Sequence, residues 1–215
     1  LSDQTLKITE IFYSLQGEAR DAGWPTVFIR LTGCPLRCHY CDTEYAFSGG
    51  ESMSIKAVMK KVASYKSRYV CVTGGEPLAQ KPCRKLLKKL CDKGYEVSLE
   101  TSGAMDISDI DPRVSRVMDL KTPGSGENVR NRLDNIELLT NRDQVKFVIC
   151  SRDDYEWARD MLRQFELESK CDVLFSPSAD ELSATELADW ILKDNLPVRF
   201  QMQLHKILWN DEPGR

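Results

Sequence analysis

A chain of 215 residues with 41% hydrophobic and 29% charged positions has the balance of a folded globular protein and enough length for one sizeable core. Its net charge of −3 is too small to imply a polyanionic partner, and no basic tract of nucleic-acid-binding length occurs. The nearest candidate, Arg84-Lys85 with Lys88-Lys89, fits a solvated helix face, so direct contact with nucleic acid is not expected.

In chain order, Thr26–Leu31 is the first candidate strand, and a cysteine-rich loop follows it. Ile55, Val58, Met59 and Val62 then share one helix face, spaced i, i+3, i+4, i+7. After a strand over Arg68–Val72, Leu86, Leu87, Leu90 and Cys91 mark a second helix, which Gly94 ends. Strands follow at Glu96–Glu100, Ser115–Leu120 and Gln144–Cys150, with a loop at Pro123–Gly126. Tyr155, Ala158, Leu162 and Phe165 predict a helix before the strand Asp172–Phe175. Leu187, Trp190 and Ile191 predict another, and Pro197 opens a last strand over Val198–Leu204. Strands separated by helices imply right-handed crossovers and a mainly parallel sheet. No repeat or linker divides the chain, so one α/β domain over residues 1–215 is expected. Periodicity leaves open whether it is an open barrel or a doubly wound sheet.

Parallel α/β folds bind ligands at the carboxyl ends of their strands. The unusual residues collect there. Gly33-Cys34 follows the first candidate strand, Thr73–Pro77 the second, Thr101–Gly103 the third, Lys121–Pro123 the fourth and Ser176–Ser178 the sixth.

Cys34, Cys38 and Cys41 have the spacing C-x3-C-x2-C. Thiolates suit iron–sulfur clusters or zinc. A structural zinc site closes with four protein ligands, and no fourth cysteine lies nearby. Three thiolates on a cubane leave one iron open to an exogenous ligand. The other five cysteines (Cys71, Cys83, Cys91, Cys150 and Cys171) sit in apolar or helical contexts and read as buried reduced thiols. With a polar Leu1–Glu10 and no apolar run near the roughly 20 residues of a membrane span, a reducing cytoplasmic setting is expected.

The cysteine spacing, with Gly74-Gly75-Glu76-Pro77 after the next strand, resembles the radical S-adenosylmethionine superfamily. The resemblance implies a partial (open) βα barrel. It also implies that Cys34, Cys38 and Cys41 hold a [4Fe–4S] cluster whose fourth iron S-adenosylmethionine chelates. Gly74 and Gly75 let the backbone approach the cofactor's ammonium, and Glu76 stabilises the turn or the ammonium. One-electron reduction then yields methionine and a 5′-deoxyadenosyl radical.

Within that superfamily, Leu15-Gln16-Gly17-Glu18, Phe28–Leu31, Cys41-Asp42-Thr43, Glu100–Gly103 and Gln203–Lys206 resemble the 7-carboxy-7-deazaguanine synthase family over essentially the whole chain. That family contracts 6-carboxy-5,6,7,8-tetrahydropterin to 7-carboxy-7-deazaguanine with loss of ammonia, on the way to queuosine. The resemblance assigns Leu15, Gln16, Gly17, Glu18, Arg30 and Thr73 to the substrate. Gln16 and Glu18 suit a pterin edge, and Arg30 suits the C6 carboxylate. It assigns Tyr40, Cys41, Asp42, Gly75, Glu76, Asp119, Lys121, Phe175, Ser176, Pro177 and Ser178 to the cofactor, and Thr43 to a magnesium ion. Asp119-Leu120-Lys121 departs from the Ser-Pro-Lys of several relatives, Ser176 replaces a common glutamine, and Ala19 stands where glycine is frequent. A flavodoxin-type electron donor and a homodimer are the family's implications for partners. The rivals are a glycyl-radical-enzyme activase, which needs neither the Leu-Gln-Gly-Glu block nor Cys-Asp-Thr, and a small iron–sulfur or zinc module, which does not account for Gly-Gly-Glu-Pro.

Overall fold

Alternation along the strands builds a sheet with two different faces. Val27, Ile29 and Leu31 turn one way into the main core, while Phe28 and Arg30 between them turn the other way into a cavity. The computed structural model describes residues 4–179, 181–210, 212 and 214; the sequence readings of Leu1–Asp3 and of Asp211, Pro213 and Arg215 lie outside them.

The strands are β1 (Thr5–Leu15), β2 (Pro25–Leu31), β3 (Glu51–Ser54), β4 (Tyr69–Gly74), β5 (Glu96–Thr101), β6 (Ser115–Asp119), β7 (Gln144–Ile149), β8 (Asp172–Pro177) and β9 (Arg199–Phe200). They form one sheet in the order β3-β1-β2-β4-β5-β6-β7-β8-β9. From β2 to β9 every neighbouring pair is parallel, whereas β1 runs antiparallel to both β2 and β3. The parallel strands follow chain order without reversal, so there is no switch point of the doubly wound kind. The sheet curls without closing and is an open partial barrel.

The α-helices are α1 (Ile55–Ser64), α2 (Cys83–Asp92), α3 (Arg152–Phe165), α4 (Leu167–Lys170), α5 (Ala184–Asp194) and α6 (Leu204–Trp209), with short 3₁₀ turns between elements. Ser54, Ser151 and Ser183 start α1, α3 and α5 by accepting the backbone N–H three residues on. The apolar faces of α1, α2, α3 and α5 pack on the outer face of the sheet. Lys88 on the opposite face of α2 pairs with Asp92 in solvent.

Three expectations need correction. The amino-terminal β1 and the short β3 carry no place in the pattern-based reading, so the strand before the cysteine loop is the second of the chain. The last strand is two residues long, and Leu204 begins α6 instead of ending that strand. Thr73 and Gly74 lie within β4, Thr101 within β5, and Ser176 and Pro177 within β8, instead of after those strands.

Candidate active site

The loops after β2 and β4 are pressed together. A Cβ on Gly75 would stand 2.3 Å from the Gly33 carbonyl oxygen and 2.8 Å from Cys34 Cβ, so only glycine allows this approach. Backbone hydrogen bonds from Gly75 N to Leu31 O (3.2 Å) and from Glu76 N to Gly33 O (2.8 Å) fix it. The Glu76 carboxylate lies beneath this corner, fully buried, and accepts from Leu78 N, Thr101 Oγ1, Ser102 N and Ser102 Oγ. Of the two roles read for Glu76, these bonds serve the turn.

A cavity of about 600 Å³ opens above the strand ends. Cys34, Cys38 and Cys41 all face it, half-buried. Burial pushes the three thiols up, Cys38 to about 11, so binding a metal must displace their protons. Three soft donors toward one cavity suit a cluster with an open iron. Beside them, Tyr40 Oη and Asp119 Oδ1 are buried and form no hydrogen bond among the described residues. Lys121 Nζ lies 5.5 Å from the Tyr40 ring centre and 2.9 Å from Asp119 Oδ2. Burial would raise the Asp119 carboxyl, but Lys121 and Lys146 outweigh it and hold the group below its usual range.

Across the cavity, Arg30 gives its Nε to Glu10 Oε1 at 2.8 Å, and Tyr45 donates to the same oxygen at 2.9 Å. The two Nη atoms make no hydrogen bond among the described residues, which leaves their edge for a carboxylate. Buried Gln16 reaches Glu100 Oε1 at 3.4 Å, and Thr73 donates to Glu100 Oε2 at 2.7 Å. Glu18 accepts from Lys146 Nζ (2.8 Å), Gln201 Nε2 (3.1 Å) and Gln203 Nε2 (2.7 Å). Gly17 lies under α6, its carbonyl accepting from Leu204 N at 3.1 Å. Thr43 donates to Asp42 Oδ1 at 2.7 Å, and Gln203 bridges from Glu18 to Asp42 Oδ2 at 3.3 Å.

Of the residues singled out from sequence, Leu15, Gln16, Gly17, Glu18, Arg30, Thr73, Tyr40, Asp42, Thr43, Gly75, Asp119, Lys121, Ser176, Pro177 and Ser178 line this one cavity with the three cysteines. Glu76 and Phe175 do not. Phe175 is fully buried on the other face of β8, edge-on to Phe147 and Tyr155. Cys150, expected to be buried, is partly exposed. The sequence reading missed Lys146 and Glu100 as cavity residues. The signal for Lys146 was a lone cation in an otherwise uncharged strand, Gln144-Val145-Lys146-Phe147-Val148.

The family model described as Radical SAM superfamily matches residues 28–122. A 7-carboxy-7-deazaguanine synthase from Chlorobaculum tepidum is 43% identical over 98% of this chain and 97% of its own length. One of the same name from Koribacter versatilis is 42% identical over 96% of this chain and 98% of its own. A crystal structure of QueE from Escherichia coli has the same fold, with a TM-score of 0.74 at 24% identity over 93% of this chain and 94% of that one. With three thiols facing the cavity beside the glycine corner, and with relatives alike over nearly their whole length, the chain belongs to the 7-carboxy-7-deazaguanine synthase family of radical S-adenosylmethionine enzymes.

Proposed function

We infer that this chain, as one catalytic domain, is a carbon–nitrogen lyase that contracts 6-carboxy-5,6,7,8-tetrahydropterin to 7-carboxy-7-deazaguanine with loss of ammonia, in queuosine biosynthesis. The observation that carries this reading is the meeting of three thiols, Arg30 with its open Nη edge, and the Gln16–Glu100–Thr73 group around one cavity.

Cys34, Cys38 and Cys41 would hold the [4Fe–4S] cluster. Bound with S-adenosylmethionine, that cluster would supply the one-electron reduction that starts radical chemistry. The chain's own work is positioning. Arg30 takes the substrate carboxylate in a bidentate grip, its guanidinium kept in place by Glu10. Gln16 and Glu100 present an amide and a carboxylate to the ring edge. The Glu18 carboxylate is already held by three donors, so its part is to keep the Leu15–Glu18 segment in register with Lys146. Asp119 Oδ1 and Tyr40 Oη offer hydrogen bonds to the cofactor, and Ser176, Pro177 and Ser178 form its far wall. The Thr43 hydroxyl supplies an oxygen ligand for magnesium, whose preference for oxygen and retained water suits a site with few protein donors. A homodimer reduced by a flavodoxin-type donor in the cytoplasm completes the proposal.

The test is anaerobic incubation of reconstituted protein with S-adenosylmethionine, a one-electron reductant, magnesium and the carboxypterin. 7-Carboxy-7-deazaguanine is the expected product. Cofactor cleavage with no such product, but with a glycyl radical on an added partner protein, would move the chain to the activases.

A further inference from the structure

We propose that Asp154 and the loop Thr122–Glu127 form a template that holds the cysteine loop in its ligand-presenting shape before any iron arrives. The proposal rests on the reading of Cys34, Cys38 and Cys41 as the cluster ligands.

Asp154 stands in the first turn of α3 and is 1% exposed. Its Oδ1 accepts Gly124 N at 2.8 Å, and its Oδ2 accepts Thr122 Oγ1 and Cys150 N, each at 3.1 Å. The contact leaves no room for a side chain: a Cβ on Gly124 would stand 2.4 Å from Asp154 Oδ2. The loop is braced internally by Ser125 Oγ, which donates to Thr122 O at 2.6 Å and accepts from Glu127 N at 3.0 Å.

The braced loop presents two acceptors to the cysteine loop. Ser125 O accepts from His39 N at 3.1 Å, and Glu127 Oε1 accepts from Arg37 N at 2.6 Å. These two N–H groups flank Cys38. Arg37 extends the link by folding its Nη1 back onto Cys34 O (2.8 Å) and Leu36 O (2.6 Å). Hydrogen bonds thus lead from a buried carboxylate on α3 to the backbone on either side of Cys38 and to Cys34 O, and Cys41 N in turn donates to Cys38 O at 3.3 Å. A loop whose donors are already engaged by outside acceptors loses little further freedom when metal binds, which is the advantage of a preorganised site. Asp154 and Glu127 are therefore positioning residues for the cluster.

The metal-free protein tests this. Thiol alkylation is followed by mass spectrometry at Cys34, Cys38 and Cys41 under anaerobic, reducing conditions, with buried Cys83 as internal reference. Glu127→Ala frees Arg37 N and should raise alkylation at Cys38 by about fivefold or more. Glu127→Gln keeps an acceptor oxygen while removing the charge and should stay within about twofold of wild type. Asp154→Ala should accelerate all three thiols; if it melts too low to purify, the Glu127 pair decides alone. Glu127→Ala at wild-type rates overturns the proposal, and so does Glu127→Gln matching Glu127→Ala, which would make the effect one of charge. Reconstituted wild type lacking acid-labile sulfide would sink the cluster reading instead, and is scored separately from the alkylation rates.

Discussion

Arg116 and Asp143 meet where β6 and β7 begin, and Asp119 and Lys146 meet three residues further along the same strands. In the lower pair every acceptor is used. Asp143 is fully buried and takes Arg116 N and Nε at 2.9 Å each, Arg116 Nη2, Thr140 N at 2.8 Å and Thr140 Oγ1 at 2.9 Å. In the upper group Lys121 and Lys146 both approach Asp119 Oδ2, Lys146 also holds Glu18, and Asp119 Oδ1 has no partner among the described residues. Three is an odd step on a strand, so the two groups lie on opposite faces of the sheet. The lower one is closed on itself and ties β6 to the loop before β7. The upper one faces the cavity, where Asp119 and Lys146 both form part of the wall.

That contrast predicts where each substitution is felt. Asp143→Ala leaves Arg116 without its partner and should cost on the order of 3–5 kcal/mol in denaturant unfolding. Turnover per folded, cluster-loaded molecule should not change. A loss of turnover at unchanged stability would break the distinction between the two groups.

Arg30 belongs to the open class, since Glu10 occupies only its Nε edge. Arg30→Ala should weaken carboxypterin binding by an amount on the order of 2–5 kcal/mol and leave S-adenosylmethionine binding near wild type. Equal weakening of both ligands in titrations would remove the carboxylate from Arg30.

The cluster motif was legible in the sequence because its residues are neighbours: the loop after one strand holds all three thiols, and the glycine corner holds the next. Lys146 was not, because alternation says only that it faces away from Val145 and Phe147. In a curled sheet the face away from the helices is the inside of the barrel, and sequence periodicity does not report curvature. The opposite error occurred at Phe200, Met202 and Leu204, whose alternation reads as a strand. There Gln201 is drawn inward, accepting from Ala19 N at 2.6 Å while Ser176 Oγ bonds its carbonyl, so the chain leaves the sheet and α6 begins. Glu76 reads as a cofactor contact by its place beside two glycines, yet its donors lie a strand away at Thr101 and Ser102, a pairing only the fold supplies.

Acid sharpens the contrast through the closed pair. Burial would raise the Asp143 carboxyl, but Arg116 and Thr140 outweigh it and hold the group below its ordinary 3.8. As pH falls, the unfolded state therefore takes up this proton first. The stabilisation is fully present above about 3.8 and is lost as pH drops through the lower folded value. The stability difference between wild type and Asp143→Asn should be flat near neutrality and shrink on acidification below that point, as read from urea midpoints. A difference that stays constant to the most acidic conditions would mean that Asp143 is not ionised in the folded protein.

The smallest effect on folding is expected at Thr43, the proposed magnesium ligand. Thr43 stands at the N-cap of a short 3₁₀ turn, Glu44–Ala46, but its side chain makes no capping bond. Its hydroxyl instead donates to the exposed carboxylate of Asp42. Thr43→Ala should therefore cost less than the roughly 1 kcal/mol of a lost helix cap. It should keep the cluster and cofactor binding while lowering turnover and blunting the response to added magnesium. Thr43→Ser retains the oxygen and loses only a methyl group, so it should keep most of that response. Product formation measured against magnesium concentration for the three proteins separates a ligand from a turn residue. A ligand gives a response that follows the oxygen, present in Thr and Ser and lost in Ala. A turn residue gives three parallel curves, and that outcome takes the magnesium away from Thr43 while leaving the proposed roles of the three thiols and of Arg30 untouched.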